Sequence, residues 1–203
     1  RPNLYATLRS HEFNAHDWTA PKRSKNIESR RRAFTRAVTN GHPKGAAMRS
    51  DTEYLRLAVE IATESRASGN HPFGALLVGP EGDVLLSSGN TYARDRGVGH
   101  AEANVARAAA QQYDPTFLER CTLVTSVEPC CMCAGACYWA GIGTVVYGLS
   151  ERRLAELTAD NPENLTLDLS CHQVFAAGRR HVAIRGPFPE LEEEIVNDHR
   201  DFW

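Results

Sequence analysis

Three residues with metal-binding side chains lie in two short segments of the chain. His100 belongs to residues 99–103 (GHAEA), and Cys130 and Cys133 belong to residues 128–133 (EPCCMC). One imidazole and two thiolates fill three of the four positions around tetrahedral zinc, and a catalytic site leaves the fourth for water. The pattern therefore predicts one catalytic zinc ion per subunit, held by these three side chains.

Glu102 follows the histidine by two residues, so it need not bind the metal and can lie beside the water. There it can take a proton from the water and pass it to a ring nitrogen and then to a departing amine. The combination of H-x-E with P-C-x-x-C is typical of zinc deaminases. The sequence therefore predicts hydrolytic deamination with Glu102 as the catalytic residue. The alternative, a structural zinc site, needs a fourth protein ligand, and the adjacent Cys131 points elsewhere on a helix.

Both ligand segments are expected to open a helix within an alternating pattern of helices and strands. The predicted helices run from the N-cap candidate Asp51 towards the stop signal Gly69, and over residues 100–112, about 129–140 and 191–202. The predicted strands cover residues 75–79, 84–88, 122–126, 144–148 and 182–185. Residues 80–83 have turn chemistry and should join the first two strands as a hairpin. The order implies an α/β fold, with a mixed sheet and helices on its faces.

Charge divides the chain into two parts. Residues 1–50 carry 11 Lys and Arg against 3 Asp and Glu, whereas residues 51–203 carry 12 against 22. We interpret residues 51–203 as one deaminase domain and residues 1–50 as a basic N-terminal arm. Such an arm can contact the phosphates of nucleic acid. The alternative is a poorly ordered extension or an artificial leader upstream of Met48.

The distribution of apolar residues and cysteines bears on the environment of the protein. No stretch has the length and apolarity of a membrane span, and the N-terminus lacks the apolar core of a secretory signal. This predicts a cytoplasmic protein with no membrane partner. Five of the six cysteines lie within residues 121–137, a clustering that favours metal ligation over a disulfide framework.

Beyond the metal motif, the chain resembles the cytidine deaminase-like zinc hydrolase superfamily. Residues 70–75 (NHPFGA), 89–90 (GN) and 133–136 (CAGA) match the branch that holds cytosine and guanine deaminases and tRNA adenosine deaminases. The resemblance extends from about Asp51 to Gly148. It implies a three-layer α-β-α sandwich around a five-stranded mixed sheet, assembled as a homodimer.

The resemblance also implies a set of substrate-binding residues. In that branch the residue matching Asn90 hydrogen-bonds the substrate ring, and the segment from His71 to Phe73 lines the pocket. The predicted substrate-binding set is Asn90, His71, Phe73, Ala101 and Trp139, with Phe202 and Trp203 as a possible lid over the mouth. Three alternatives stay open: a turn role for Asn90, a place in the core for Trp139, and ordinary exposed terminal aromatics in place of a lid.

The acidic C-terminal region bears on the choice of substrate. The tRNA-editing members carry a basic and aromatic ending, whereas this chain has acidic residues between positions 190 and 194. Nucleic acid is therefore an unlikely partner there. We expect a small-molecule substrate of purine or pyrimidine salvage, namely a free aminopyrimidine, aminopurine or aminotriazine that releases ammonia. The alternative is a tRNA adenosine deaminase or an RNA-binding editing subunit that uses the basic arm.

Overall fold

A computed structural model describes residues 49–164 and 166–203. The basic segment 1–50 therefore lies outside the described residues, apart from its last two positions. Among the described helices, none combines the length and apolarity that crossing a bilayer requires.

The described chain alternates between helices and strands. The helices are α1 (Asp51–Ala67), α2 (Tyr92–Asp95), α3 (Ala101–Gln112), α4 (Pro115–Leu118), α5 (Cys131–Ala140), α6 (Glu151–Thr158), α7 (Cys171–Ala176) and α8 (Glu192–His199), with short 3-10 turns at Arg96–Val98 and Pro189–Leu191. The strands are β1 (Gly74–Val78), β2 (Val84–Gly89), β3 (Thr122–Val127), β4 (Thr144–Leu149) and β5 (Ala183–Arg185).

The five strands form one mixed sheet in the order β2-β1-β3-β4-β5. Strand β1 pairs antiparallel with β2 as the predicted hairpin and antiparallel with β3 on its other side. Strands β3, β4 and β5 are parallel. Because β3 and β4 run in the same direction, their carboxyl ends meet at one edge of the sheet, and the cysteine segment follows the end of β3 there.

Apolar side chains cover both faces of this sheet. One cluster joins Leu77 and Leu123 to residues of α3, α5 and α7, including Val105, Cys137 and Phe175. A second cluster on the other face joins Leu76 and Val124 to residues of α1, α6 and α8, including Leu55, Leu154 and Ile195. The predicted sandwich of a five-stranded mixed sheet between two helical layers is therefore confirmed.

Several predicted boundaries differ from the structure. Ser50, rather than Asp51, caps α1, because its hydroxyl accepts from the backbone N–H of Glu53 in a capping box. Helix α5 starts at Cys131 with Cys130 as the N-cap, so Pro129 lies before the helix rather than in its first turn. The terminal helix ends at His199, three residues earlier than expected. Helices α6 and α7 have no counterpart in the sequence prediction.

Candidate metal centre and active site

The three predicted ligands converge at the N-terminal ends of two helices. His100 is the N-cap of α3, Cys130 is the N-cap of α5, and the buried Cys133 lies in the first turn of α5. Their candidate ligand atoms lie within 4.8 Å of one another. The Sγ atom of Cys130 is 3.6 Å from Nδ1 of His100. Two helices that pack side by side thus bring together residues 30 positions apart in sequence.

The electrostatics of this triad favour a Cys130 thiolate beside a protonated His100 ring, an ion pair that a bound metal ion would replace. The hydrogen bond with Cys133 lowers the pKa of Cys130 to about 4, and the hydrogen bond and charge of His100 act in the same direction. Burial opposes protonation of His100, but the hydrogen bond with Cys130 and the charge of Glu102 raise its pKa to about 9. Exposed N–H groups at a helix start also stabilise negative charge.

The donor set fits zinc. Sulfur from two cysteines and nitrogen from one histidine are ligands that zinc prefers, and structural sites add a fourth protein ligand. Within residues 49–164 and 166–203, the cluster that contains His100 includes no fourth His, Cys, Asp or Glu. None of the six cysteines forms a disulfide. The arrangement thus has the open form of a catalytic zinc site.

Glu102 lies in the first turn of α3 and faces the same space as the triad. Its side chain is 4% exposed, and its Oε1 atom accepts a hydrogen bond from the Thr125 hydroxyl at 3.1 Å. Burial raises the pKa of this carboxyl group, while the nearby His100 opposes the rise. A carboxyl group in such a position can bind and release a proton beside the triad.

A pocket of about 20 Å³ adjoins the triad. Its wall contains two of the predicted ligands, the predicted general base, the predicted pocket residue Phe73, and residues of α6 and the loop that follows α6. The lining residues are Phe73, His100, Glu102, Val127, Glu128, Cys130, Glu151, Leu154 and Asn164. A volume of this size holds one water molecule, so a planar ring can enter only if side chains around it move.

Glu128 ties the cysteine segment to two helices. Its Oε2 atom accepts from the backbone N–H of Glu151 at 3.0 Å, and its Oε1 atom accepts from the backbone N–H of Cys171 at 3.0 Å. These are the first residues of α6 and α7. Glu128, Cys171 and His172 also lie close enough to form a possible metal group, and each Glu128 oxygen there accepts one backbone N–H.

Glu151 lines both this pocket and a larger neighbouring cavity of about 810 Å³. The larger cavity lies between α6, α7 and the loop that joins them, and it shares Glu128 and Glu151 with the pocket at the triad. Burial raises the pKa of Glu151 to about 8, and the charges of Cys130 and Glu102 add to the effect.

Aromatic rings from three parts of the chain meet beside the pocket. The His71 ring stacks on Tyr92 at 4.1 Å, and its Nε2 atom lies 3.1 Å from Oε2 of Glu163. Phe202 and Trp203 pack edge-on against His71, with ring centroids 5.8 and 5.0 Å away. Trp203 also lies 6.1 Å from Phe73, which lines the pocket. The structure thus places the two predicted lid residues on two predicted pocket residues.

Two other predicted substrate residues are held by protein contacts. The side-chain oxygen of Asn90 accepts from the backbone N–H of Tyr92 at 2.7 Å, so Asn90 does form a turn, while its amide NH₂ group remains for a substrate. The Ala101 side chain is fully buried in the core, so only its backbone is left for a substrate contact. Neither residue lines the small pocket.

The prediction for Trp139 is wrong on both counts. This side chain is 87% exposed, so it is part of neither the core nor the pocket wall within the chain. Cys130 and Cys133 begin the helix at the triad, but Trp139 lies at the opposite end of α5, on its outer face. Trp139 was expected at the pocket because it is close in sequence to the ligands, and the structure places it elsewhere.

Sequence reasoning missed three residues that bear on the site. Thr125 and Asn164 carried no local signal, because only the folded sheet and the loop after α6 bring them to the pocket. Glu151 also lacked a signal, since helix α6 was not predicted. Its cap, Ser150, whose hydroxyl accepts from the backbone N–H of Arg153, was the available clue.

Comparison with known proteins identifies relatives of the chain. A family model described as the cytidine and deoxycytidylate deaminase zinc-binding region matches residues 48–149. A probable cytosine deaminase of Schizosaccharomyces pombe is 34% identical over 153 residues, which cover 75% of this chain and 92% of that protein. The guanine deaminase of Bacillus subtilis is 34% identical over 109 residues, which cover 53% of this chain and 70% of that protein.

A solved structure extends the comparison to three dimensions. It comes from studies of A-to-I editing by tRNA:A34 deaminases at the wobble position of transfer RNA. It matches with a TM-score of 0.53 and 27% sequence identity, over 72% of this chain and 99% of that chain. The names of these similar proteins thus differ in substrate, which is cytosine, guanine or transfer RNA.

Proposed function

This chain belongs to the cytidine and deoxycytidylate deaminase zinc-binding family, and on that premise we propose that it is a zinc-dependent hydrolase of free nucleobases or nucleobase analogues. It removes an exocyclic amine as ammonia and leaves a carbonyl oxygen on the ring. Its candidate substrates are aminopyrimidines, aminopurines and aminotriazines, and its place is in purine or pyrimidine salvage.

The convergence of His100, Cys130 and Cys133 beside a buried Glu102 carries this proposal. The three ligands leave a coordination position open, and Glu102 lines the same small pocket without belonging to the ligand cluster. Bound zinc lowers the pKa of a water molecule and so supplies a nucleophile at neutral pH. The other tasks of the reaction fall to side chains of the protein.

Glu102 performs the proton transfers. Its carboxylate takes a proton from the attacking water and delivers it to the ring nitrogen, then moves a second proton to the departing amine. The hydrogen bond from Thr125 holds one carboxyl oxygen in place, which leaves the other oxygen to face the pocket. Without this shuttle, the amine would have to leave as a strongly basic anion.

The surroundings of the pocket favour a small planar substrate. Phe73 contributes an aromatic wall, and His71, Phe202 and Trp203 form the cover behind it. The small volume at the triad requires a substrate that the protein can enclose. Helix α8, which leads to Phe202 and Trp203, begins with three consecutive glutamates, and their charge disfavours the phosphates of a polynucleotide.

A tRNA adenosine deaminase is the second candidate, because a structure from studies of tRNA deaminases resembles this chain at 27% identity. In this case the basic segment 1–50, which lies outside the described residues, would supply the phosphate contacts. It predicts salt-sensitive RNA binding that is lost when this segment is removed.

One assay separates the two functions. Ammonia release is measured with zinc-loaded protein on free bases, nucleosides and a tRNA anticodon stem-loop. Turnover of a free base that Glu102→Gln abolishes, with zinc content unchanged, supports the nucleobase deaminase. Activity on the stem-loop alone would overturn this assignment in favour of the tRNA deaminase, and inactivity on every substrate would reject both.

We also propose a homodimer in the cytoplasm. Met132 and Trp139 lie seven residues apart on α5 and therefore share one helical face, and they are 38% and 87% exposed. An exposed tryptophan beside a methionine is typical of protein interfaces. Sedimentation of the wild type and of Trp139→Glu tests the pairing, and a monomeric wild type would overturn it.

A further inference from the structure

Three carboxyl groups line the pocket at the triad, and they differ in the hydrogen-bond donors that contact them. Glu102 accepts a hydrogen bond from Thr125. Glu128 accepts two from backbone N–H groups. Among residues 49–164 and 166–203, no donor contacts the carboxyl oxygens of Glu151, although its backbone N–H is held by Glu128.

The position of Glu151 makes this difference significant. It is the first residue of α6, and its backbone is fixed by the bond to Glu128. Its half-buried side chain lines both the small pocket at the triad and the cavity of about 810 Å³ beside it. A ring bound at the triad that extends towards the larger cavity would meet Glu128 and Glu151, the two residues that line both spaces.

The surroundings of Glu151 offer negative charge rather than a partner. The neighbours that act on it most strongly are Cys130, Glu102 and Glu128, and only His100 acts in the opposite sense. On the same helix, Arg153 is paired with Glu156 and Glu192. No described residue donates to the Glu151 carboxyl group, and this group lines the open space of the pocket and of the cavity. A ligand with N–H groups in that space is therefore placed to donate to it.

We propose that Glu151 is a specificity-determining residue that accepts a hydrogen bond from an N–H group of the bound amino heterocycle. The proposal rests on the proposed function and names the feature of the substrate that this site reads. A carboxyl group can play this part in either protonation state, since it accepts through both oxygens when ionised and through the carbonyl oxygen when protonated.

Two substrate groups can supply that N–H. One is the exocyclic amine, which the product no longer has. The other is a ring N–H, which both substrate and product of a free base have and which an N-alkylated base or a nucleoside lacks. Binding measurements distinguish the two. A substrate that lacks the donor leaves Glu151 unpaired, and this loss of affinity is larger than the loss caused by the size of an added methyl group.

The test uses full-length, zinc-loaded protein that carries Glu102→Gln, so that substrate binds without turnover. Calorimetry gives the Kd of the preferred amino heterocycle, its carbonyl product and its ring N-methylated analogue, with Glu151 intact, with Glu151→Gln and with Glu151→Leu.

We expect Glu151→Leu to weaken substrate binding at least tenfold and Glu151→Gln to weaken it less. If the amine is the donor, product affinity is unchanged. If a ring N–H is the donor, product affinity falls as well, and the methylated analogue binds weakly to every form.

Glu156→Gln is the matched control. Glu156 lies on the same helix but pairs with Arg153 and does not line the pocket at the triad. Its substitution should leave all three affinities unchanged. Zinc content and the midpoint of thermal unfolding establish that each variant is folded.

Equal substrate affinity in Glu151→Leu and in the protein with Glu151 intact would overturn the proposal while leaving the deaminase assignment in place. An equal loss in Glu151→Leu and in the control would also overturn it, since the effect would then be one of charge on α6. A different result would reject the proposed function itself. In that case the protein with native Glu102 and Glu151 would not release ammonia from any of the heterocycles tested.

Discussion

The hydroxyl group of Thr125 lies 3.1 Å from Oε1 of Glu102, and both side chains are buried. Thr125 belongs to β3, whereas Glu102 belongs to α3, so this bond connects the sheet to the helix that begins at His100. Strand β3 also leads into the cysteine segment. The predicted proton shuttle is thus held by the same strand that positions two of the metal ligands.

Replacing Glu102 should separate chemistry from metal binding. Glu102→Gln keeps the shape of the side chain and can still accept from Thr125, but it cannot carry a proton. We expect turnover to fall at least a hundredfold, while zinc content stays at one ion per subunit. Thr125→Val is the companion variant, and it should lower kcat less, because the carboxyl group remains. Near-normal ammonia release from Glu102→Gln would contradict the assigned role.

Zinc binding should depend on His100, Cys130 and Cys133 individually. We expect His100→Ala and Cys133→Ser to reduce bound zinc to well below one equivalent and to destabilise the domain, because the free energy of binding contributes to folding. Cys131→Ser is the control, since Cys131 adjoins a ligand but lies outside the cluster. Metal analysis and thermal unfolding with and without chelator provide the measurement. Loss of zinc in Cys131→Ser would show that the ligand set is wrong.

Site residues that belong to a local sequence motif could be predicted, whereas residues that only the folded chain brings to the pocket could not. His100, Cys130 and Cys133 were found because local spacing and the start of a helix define a ligand. Glu151 and Asn164 reach the pocket from helix α6 and its following loop, so nothing near them in sequence signals their position. The same limit explains the error at Trp139, since a helix that begins at the metal still turns its far end outward.

Secondary-structure elements were likewise predicted where the local sequence gave a clear signal. Short apolar runs predicted all five strands to within about one residue, because a sheet buried on both faces requires them. Helix α7 escaped prediction because six residues are too few for a clear periodic signal. Helix α6 was overlooked although its eight residues are amphipathic and follow the Ser150 cap. Their starts depend on Glu128, which accepts from the first N–H of each helix across 23 and 43 residues of sequence.

Arg66 should hold the aromatic cover in place. Its guanidinium donates to the backbone carbonyl oxygens of Asp198 at 2.8 Å and Arg200 at 3.1 Å, and it lies over the Phe202 ring at 5.7 Å. We expect Arg66→Met to raise KM roughly tenfold, because charged hydrogen bonds are lost, while kcat changes little. Hydrogen exchange of residues 197–203 should become faster.

Arg56→Met is the matched control for this prediction. Arg56 lies on the same helix and pairs with Glu194 of α8, but the pair is exposed and has no contact with Phe202 or Trp203. It should leave KM and exchange near wild-type values. If Arg66→Met leaves exchange at the C-terminus unchanged, the cover is held by its ring contacts alone.

His199 should make the C-terminal region sensitive to acid. Its ring is 3% exposed, Nδ1 accepts from the Trp203 indole at 3.1 Å, and Nε2 has no partner among the described residues. Burial lowers its pKa to about 4, and the charges of Arg66 and His71 act in the same direction. The folded protein therefore favours the neutral ring.

The sign of the pH effect follows from this depressed pKa. The contribution of His199 to stability is complete above pH 6.5, the ordinary value, and is lost as the pH falls towards 4, because the unfolded chain binds the proton more readily. The loss between pH 7 and pH 5 is about 2 kcal/mol. His199→Phe keeps a ring against Phe73 and Trp203 but cannot titrate. Urea unfolding at both pH values should show a smaller drop in the variant than in the wild type, and equal drops would contradict a buried neutral histidine.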